Sequence, residues 1–154
     1  IIHHSKLMNI ELKKAAVLDL FSGVGSFGLE AISRGAEKVF FFEKHELALN
    51  ILKKNLESLS FSKKAKIITK DIYIKKSFEN LNQKFNLIFI DPPFKDKKII
   101  ELLKILNESK ILNPETIIII HRQKKSFDDF NNKFKVLREE TYGSSKIIFG
   151  FISF

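Results

Sequence analysis

The chain has 154 residues, which is the usual length of a single domain. It contains no cysteine, which excludes a disulfide framework and a thiolate metal site. Its 27 basic and 18 acidic residues give a formal net charge of +9, which favours a polyanionic partner, although an AT-rich genome produces a similar excess of lysine.

The sequence has no apolar run near the roughly 18 residues that a membrane-spanning helix requires. It also shows no signal peptide. We therefore expect a cytoplasmic protein that has no membrane partner. The sequence begins at Ile1 rather than at a methionine, so we expect the natural amino terminus to lie upstream. Residues 1–154 are expected to form one domain.

Apolar runs alternate with amphipathic segments along the chain. The first half predicts a helix over His3–Leu12, a strand over Ala15–Phe21, a glycine turn over Ser22–Gly28, a helix over Phe27–Arg34, a strand over Lys38–Phe42, a helix over Glu46–Ser60 and a strand over Ala65–Thr69. The second half predicts a weaker helix over Tyr73–Leu81, a strand over Asn86–Ile90, a helix over Lys98–Leu106, a strand over Thr116–Ile120, a helical turn over Phe127–Phe130, and a hairpin of Lys133–Thr141 and Ser145–Phe154.

This order of elements predicts an α/β fold. Strands that alternate with helices at short spacing form a doubly wound, mostly parallel sheet with helices on both faces. The final hairpin breaks the alternation, so we expect seven strands with an antiparallel C-terminal hairpin. In the helix over Glu46–Ser60, one apolar face is predicted to comprise Ala48, Ile51, Leu52, Leu56 and Leu59.

Acidic or glycine-rich residues follow four successive predicted strands. They are the turn from Asp19 to Gly25, then Glu43, Asp71 and Asp91. Ligands bind outside the carboxyl ends of the strands in an open parallel sheet. The sequence therefore predicts a ligand site at that edge.

The glycine turn, Gly23 to Gly28, fits the G-x-G-x-x-G pattern, which also occurs in dinucleotide sites. Asp19 would repel a pyrophosphate but would pair with an amino-acid ammonium, which favours the methionine part of S-adenosylmethionine. Glu43 lies about 20 residues after Gly23, the spacing of an acid that binds ribose hydroxyls. Asp71 is placed to accept a hydrogen bond from an adenine amine. The ordinary alternatives are glycines that serve packing, a solvated Glu43 and an Asp71 that caps a helix.

Asp91-Pro92-Pro93-Phe94 ends the apolar strand before it. Proline cannot continue a sheet ladder and fixes its own φ, so the two prolines hold the Asp91 carboxylate and the Phe94 ring in a stiff arrangement. Such an arrangement can hold a flat base by its face and its exocyclic amine by hydrogen bonds. A plain Pro-Pro turn with a core phenylalanine is the structural alternative.

Several of these segments resemble the bacterial 16S ribosomal RNA guanine-N2 methyltransferase family. The similar segments are Val17–Ala31, Ser33–Ala36, Asp91–Phe94 and Tyr142-Gly143. The resemblance implies a Rossmann-like fold and methyl transfer from S-adenosylmethionine to a guanine 2-amino group in 16S rRNA of the small ribosomal subunit. The catalytic residues would be Asp91, Pro92, Pro93 and Phe94, and the cofactor contacts Asp19, Phe21, Gly23, Gly25, Glu43, Lys44, Asp71, Ile72 and Asp91. No metal is expected, and a monomer is favoured.

The sequence departs from the family pattern at two places. The family carries an N-terminal arm with basic and Arg-Pro-Thr elements, for which the sequence from Ile1 has no counterpart. His121-Arg122 follows the fifth predicted strand, where an acidic residue is common.

Other classes stay open on motifs alone. A DNA amine methyltransferase shares the Asp-Pro-Pro motif but usually needs a separate recognition region. A nicotinamide-dependent oxidoreductase shares the glycine pattern, and a non-catalytic RNA-binding relative is a further alternative.

Overall fold

The computed structural model describes residues 11–153 and contains one sheet of seven strands. The strands are β1 (Ala16–Leu20), β2 (Lys38–Phe42), β3 (Ala65–Ile68), β4 (Phe85–Ile90), β5 (Leu112–Gln123), β6 (Phe134–Tyr142) and β7 (Ser145–Ile152). The helices are α1 (Ser26–Ser33), α2 (Glu46–Ser58) and α3 (Ile99–Glu108). The strand order is β3-β2-β1-β4-β5-β7-β6. The pairs from β3 to β5 are parallel, and both pairs of β7 are antiparallel, which confirms the predicted fold class.

The central strands are buried on both faces, which explains why they read as continuous apolar runs. Successive side chains point to opposite faces, so each strand contributes to two cores. Val17, for example, packs in the cluster that includes residues of α1 and α2, whereas Leu18 packs in the cluster that includes α3. Helices thus cover both faces, as the sequence predicted.

The connections of the sheet create a switch point between β1 and β4. From β1 the chain moves outward to β2 and β3, and β4 then returns to the other side of β1. In open α/β sheets the ligand crevice lies at this point, outside the carboxyl ends of the strands. The fold therefore places the ends of β1 and β4, with Asp19 and Asp91, side by side.

β5 is longer than predicted and starts before Pro114. Proline has no N–H to donate to a sheet ladder, but Pro114 is tolerated because the register of β4 and β5 shifts between Phe85 and Leu87. At such an irregularity not every backbone N–H has to form a ladder hydrogen bond. At the other end β5 extends past Ile120, so His121 lies within the strand and not after it.

Two helical predictions are wrong. The segment predicted as a helix over Tyr73–Leu81 contains only a 3₁₀ turn at Lys75–Ser77. Asp71 competes with helix formation there, because its side chain accepts the Tyr73 N–H at 2.8 Å and its carbonyl accepts the Ser77 hydroxyl at 2.5 Å. The segment 127–130 is not helical either.

Smaller differences concern α2 and the first residues. On α2, Leu52 and Leu56 are buried, but Ile51 and Leu59 are about half exposed, so the predicted apolar face is too wide. The helix predicted over His3–Leu12 lies almost wholly outside the described residues. Within residues 11–153, the structure contains no helix with the length and apolar character needed to cross a bilayer.

Gly28 provides a test of how α1 packs on β2. A Cβ at this position would lie 2.2 Å from Phe41 Cε1 and 2.9 Å from Val39 Cγ1. Alanine in place of glycine normally stabilises a helix interior by about 0.5–1 kcal/mol. We expect Gly28→Ala to lower the free energy of unfolding instead, by about 1–3 kcal/mol, because it overpacks the core. Urea denaturation measures this, with Ser33→Ala at an exposed position of α1 as the control. A stabilised Gly28→Ala would contradict the observed packing.

Candidate active site

Two adjoining cavities lie at the carboxyl ends of the parallel strands. The larger has a volume of about 820 Å³ and the smaller about 640 Å³. Both are lined by Phe21, Asp91 and His121, so these three side chains stand at their junction. The predicted ligand edge is therefore a real concave site.

Most of the residues predicted for the site line one of these cavities. The larger contains Phe21, Glu43, Lys44, Asp71, Ile72, Asp91, Pro92, Pro93 and Phe94, and the smaller contains Asp19, Phe21, Gly23 and Asp91. Gly25 lines neither. Its φ is +89°, and a Cβ there would lie 2.4 Å from Leu52 Cδ1, so Gly25 allows the turn to pack against α2.

The glycine turn is fastened to the neighbouring strand by Glu43. The Gly23 N–H donates to Glu43 Oε2 at 2.8 Å, and the N–H groups of Lys44 and His45 donate to Oε1 at 2.8 and 2.7 Å. A carboxylate offers about four lone-pair directions, so one remains for a ligand hydroxyl. Glu43 therefore supports the turn itself, a role that the sequence did not predict.

Asp19 lies directly beneath the turn and is 1% exposed. Its Oδ2 accepts the Gly28 N–H at 2.9 Å, which joins the end of β1 to the first turn of α1. Burial raises the pKa of Asp19 to about 8, against the lowering effect of the Gly28 hydrogen bond, and the carboxylates of Asp91 and Glu43 add to the rise. A cation in the smaller cavity would favour the ionised form of this carboxyl group.

Asp71 and Lys44 form the far wall of the larger cavity. Asp71 accepts the Tyr73 N–H at 2.8 Å through Oδ1 and the Lys44 ammonium at 3.1 Å through Oδ2. These two interactions, the Tyr73 N–H first, hold the pKa of Asp71 below its usual value. Asp71 thus caps the turn that follows it, which resembles the capping role named as its alternative to ligand binding. It also lines the cavity beside Ile72.

Asp91 leaves β4 at the centre of the site. Pro92 behind it is buried, whereas Pro93 and the Phe94 ring are exposed, the latter by 54%. Asp91 Oδ1 lies 2.7 Å from His121 Nδ1, and the His121 and Phe94 rings form a T-shaped contact with 6.2 Å between centroids. One carboxylate oxygen is thereby held in place, and Oδ2 remains available to a ligand.

His121 is a site residue that the sequence analysis did not identify as one. It was noted only as a departure from a family pattern. The strand pairing explains its position, because β4 and β5 are parallel and Ile90 pairs with Ile120. The residue after Ile120 must then lie beside Asp91.

Tyr73 is a second residue of the site that was not predicted. Its ring stands edge-on to Phe21 at 6.3 Å, and its hydroxyl donates to Asp96 Oδ2 at 2.5 Å. Phe21 has a φ of +58°, a conformation that costs a non-glycine residue about 1–3 kcal/mol. This strained residue separates the two cavities, where backbone strain commonly accompanies function.

Comparison with known proteins identifies the family. The family described as "Conserved hypothetical protein 95" matches residues 4–150. Ribosomal RNA small subunit methyltransferase D of Haemophilus influenzae is 33% identical over 138 residues, which cover 86% of this chain and 69% of that protein. The chain belongs to this methyltransferase family. The resemblance inferred from the glycine turn and the Asp-Pro-Pro-Phe motif is confirmed.

Solved structures agree with the family assignment. A Haemophilus influenzae protein provisionally described as a methylase has a TM-score of 0.81 and 28% identity, covering 97% of this chain and 94% of its own. A more distant neighbour, provisionally described as a methyltransferase complexed with SAH (S-adenosylhomocysteine), has a TM-score of 0.76 at 16% identity and covers 96% of this chain and 48% of its own. At that identity the likeness concerns the fold.

Asp19 makes the stability of this family member depend on pH. Its carboxyl stays protonated in the folded protein up to a pH of about 8, whereas the unfolded chain loses the proton near 3.8. Its contribution to the free energy of unfolding is therefore complete below that lower value and is lost as the pH rises towards 8. We expect Asp19→Asn to lose less stability than the wild type between about pH 5 and pH 8.

Urea denaturation at both pH values measures this difference. Glu57→Gln, which changes an exposed carboxylate on α2, is the control and should follow the wild type. Parallel curves for Asp19→Asn and the wild type would show that Asp19 is ionised in the folded protein.

Proposed function

We propose that this protein transfers a methyl group from S-adenosylmethionine to the exocyclic 2-amino group of a guanine in 16S rRNA of the small ribosomal subunit. The observation that carries the proposal is the position of Asp91. Its carboxylate stands at the junction of the two cavities, next to an exposed aromatic ring and held from behind by His121. Family membership supports rRNA as the substrate.

The residues of the two cavities fit the proposed cofactor. Asp19 offers a buried carboxyl group to an ammonium in the smaller cavity, and Glu43 and Asp71 offer oxygen acceptors to ribose hydroxyls and an adenine amine in the larger one. Phe21 and Ile72 supply apolar walls. When bound, S-adenosylmethionine supplies an electrophilic methyl group on its sulfonium.

Asp91 would act on the amine. The lone pair of an aryl amine is delocalised into the ring and is a poor nucleophile in that form. When Asp91 Oδ2 and the Pro92 carbonyl accept hydrogen bonds from the two N–H groups of the amine, the nitrogen becomes pyramidal. Its lone pair can then point at the methyl group. After transfer the nitrogen carries one proton too many, and Asp91 is the carboxylate placed to take it. Positioning and electrostatics supply most of such a rate gain.

Phe94 would hold the base. A ring that is 54% exposed beside Asp91 offers a flat face to a nucleobase taken out of its helix. Pro92 and Pro93 restrict the backbone between this face and the carboxylate, so the distance between base and acceptor is fixed.

Methyl transfer to undermethylated small subunits tests the proposal. The assay uses tritiated S-adenosylmethionine, and nucleoside analysis then identifies the product. We expect N2-methylguanosine from 16S rRNA. Labelled N6-methyladenosine or N4-methylcytidine would instead indicate methylation of a different exocyclic amine, the chemistry of the DNA amine methyltransferases that share the Asp-Pro-Pro motif.

Asp91→Ala should separate chemistry from cofactor binding. We expect the single-turnover rate to fall on the order of 100-fold or more, because the group that positions the amine is lost. Affinity for S-adenosylmethionine, measured by calorimetry, should stay close to that of the wild type. A near-normal rate would remove Asp91 from its proposed role.

His121 should act only through Asp91. A hydrogen bond to a charged group contributes about 1.5–3 kcal/mol, so we expect His121→Phe to slow transfer roughly 10-fold or somewhat more. The double variant Asp91→Ala/His121→Phe should be no slower than Asp91→Ala alone. His121→Asn, which keeps a donor, should recover part of the rate. Additive losses in the double variant would show that His121 acts independently of Asp91.

A further inference from the structure

Exposed phenylalanines are rare in this protein. Of the phenylalanines among residues 11–153, only Phe94 and Phe127 are exposed, whereas the others are buried or half-buried. Phe94 belongs to the site described above. Phe127 is 90% exposed and has no role in the proposed transfer reaction.

The segment that carries Phe127 is anchored. The buried Arg122 guanidinium donates to both carboxylate oxygens of Asp128 at 2.9 Å and to the carbonyl of Asp96 at 3.0 Å. The side chains of Arg122 and Asp128 are only 5% and 6% exposed. Two hydrogen bonds between the same two buried groups restrict their relative position, so the loop at Asp128 is held against β5.

The same guanidinium links the loop of Phe127 to the loop of Phe94. Asp96 lies two residues after Phe94, and Asp128 directly follows Phe127. Arg122 thus joins the loop that carries the Asp-Pro-Pro-Phe motif to the loop that carries Phe127. Both loops follow the carboxyl ends of parallel strands, β4 for Phe94 and β5 for Phe127.

The two loops that Arg122 joins are rich in lysine. Four lysines of the two loops are exposed and form no ion pair within residues 11–153: Lys95, Lys97, Lys124 and Lys125. The two loops also carry acids. Asp128 is paired with Arg122, whereas Asp96, which binds the Tyr73 hydroxyl and the Lys98 N–H, and the exposed Asp129 have no cationic partner within residues 11–153, so the four lysines outnumber the uncompensated carboxylates by two. We call Phe127 and these four lysines the Phe127 platform.

We propose that the Phe127 platform binds single-stranded RNA next to the base held at Phe94. Phe127 stacks on a flanking nucleotide, and the lysines contact its phosphates. A lone flat ring among unpaired lysines matches a nucleotide, which has a π-face and a negative charge. Duplex RNA fits less well, since its bases are stacked inside the helix. This inference rests on the proposed function for the identity of the RNA and for the base held at Phe94, but not for RNA binding by Phe127 and the lysines.

The ring is tested by binding, without any need for catalysis. The probe is a fluorescein-labelled single-stranded RNA of about 12 nucleotides, and its anisotropy reports affinity. We expect Phe127→Ala to weaken binding roughly 10-fold, Phe127→Leu to do nearly the same, and Phe127→Tyr to bind like the wild type. Leucine keeps the apolar volume without the flat face, so the comparison isolates stacking. Melting temperatures should not change, because the ring is exposed.

The lysines are tested by the salt dependence of binding. Removing two phosphate contacts should lower the slope of log affinity against log salt by about 1.4 for a single strand. We expect this for Lys124→Gln/Lys125→Gln. The control is Lys53→Gln/Lys54→Gln, which makes the same change of charge at exposed positions of α2 and should leave the slope unchanged.

The outcomes separate this inference from the proposed function. Equal affinities for Phe127→Ala and the wild type, or equal slopes for the two lysine pairs, would overturn the platform even if rRNA is methylated. Preference for duplex RNA of the same length, or wild-type methylation of small subunits by Phe127→Ala, would overturn it as well. Weakened RNA binding by Phe127→Ala together with no methyl transfer by the wild type would support the platform and refute the proposed function.

Discussion

The site depends first on the buried carboxyl group of Asp19. By accepting the Gly28 N–H, it joins the end of β1 to the start of α1. Gly28 has no side chain that would keep α1 away from β2. The glycine turn between them is therefore held close to the sheet. Glu43 fastens it from the other side through the Gly23 N–H. Two carboxyl groups thus determine where the turn lies, and both cavities take their shape from it.

The second determinant is the pairing of β4 with β5. It brings His121 to Asp91 across the sheet and leaves one carboxylate oxygen available to a ligand. One residue further along β5, Arg122 points into the fold and connects the two loops beyond the strands. Neighbouring residues of one strand thereby organise the centre of the site and its rim.

The sequence predicted the order of the elements because each signal was local. Continuous apolar runs indicated buried parallel strands, and Gly35, with a φ of +102°, ended α1 where predicted. The acids that follow strands were placed correctly because parallel strands end at one edge. The failures had two kinds of cause, one local and one long-range. Asp71 prevents a helix through its own hydrogen bonds, and His121 becomes a site residue only through pairing with β4. The close packing of Gly25 against Leu52 is likewise not visible in the pattern.

The position of β1 has a consequence for synthesis on the ribosome. One neighbour of β1, β2, follows it closely in the chain, but the other neighbour, β4, is made much later, and the hydrogen bond from Ala16 N–H to Asn86 Oδ1 spans 70 residues. A nascent chain that ends after β3 contains only the strands β1, β2 and β3 of the sheet, and the apolar edge of β1 has no partner strand. Such an edge can pair with other chains, and distant strand pairs form slowly. Elongation through β4 is therefore the interval in which this protein is most exposed to misassembly, and its active centre comes together only when that interval has passed.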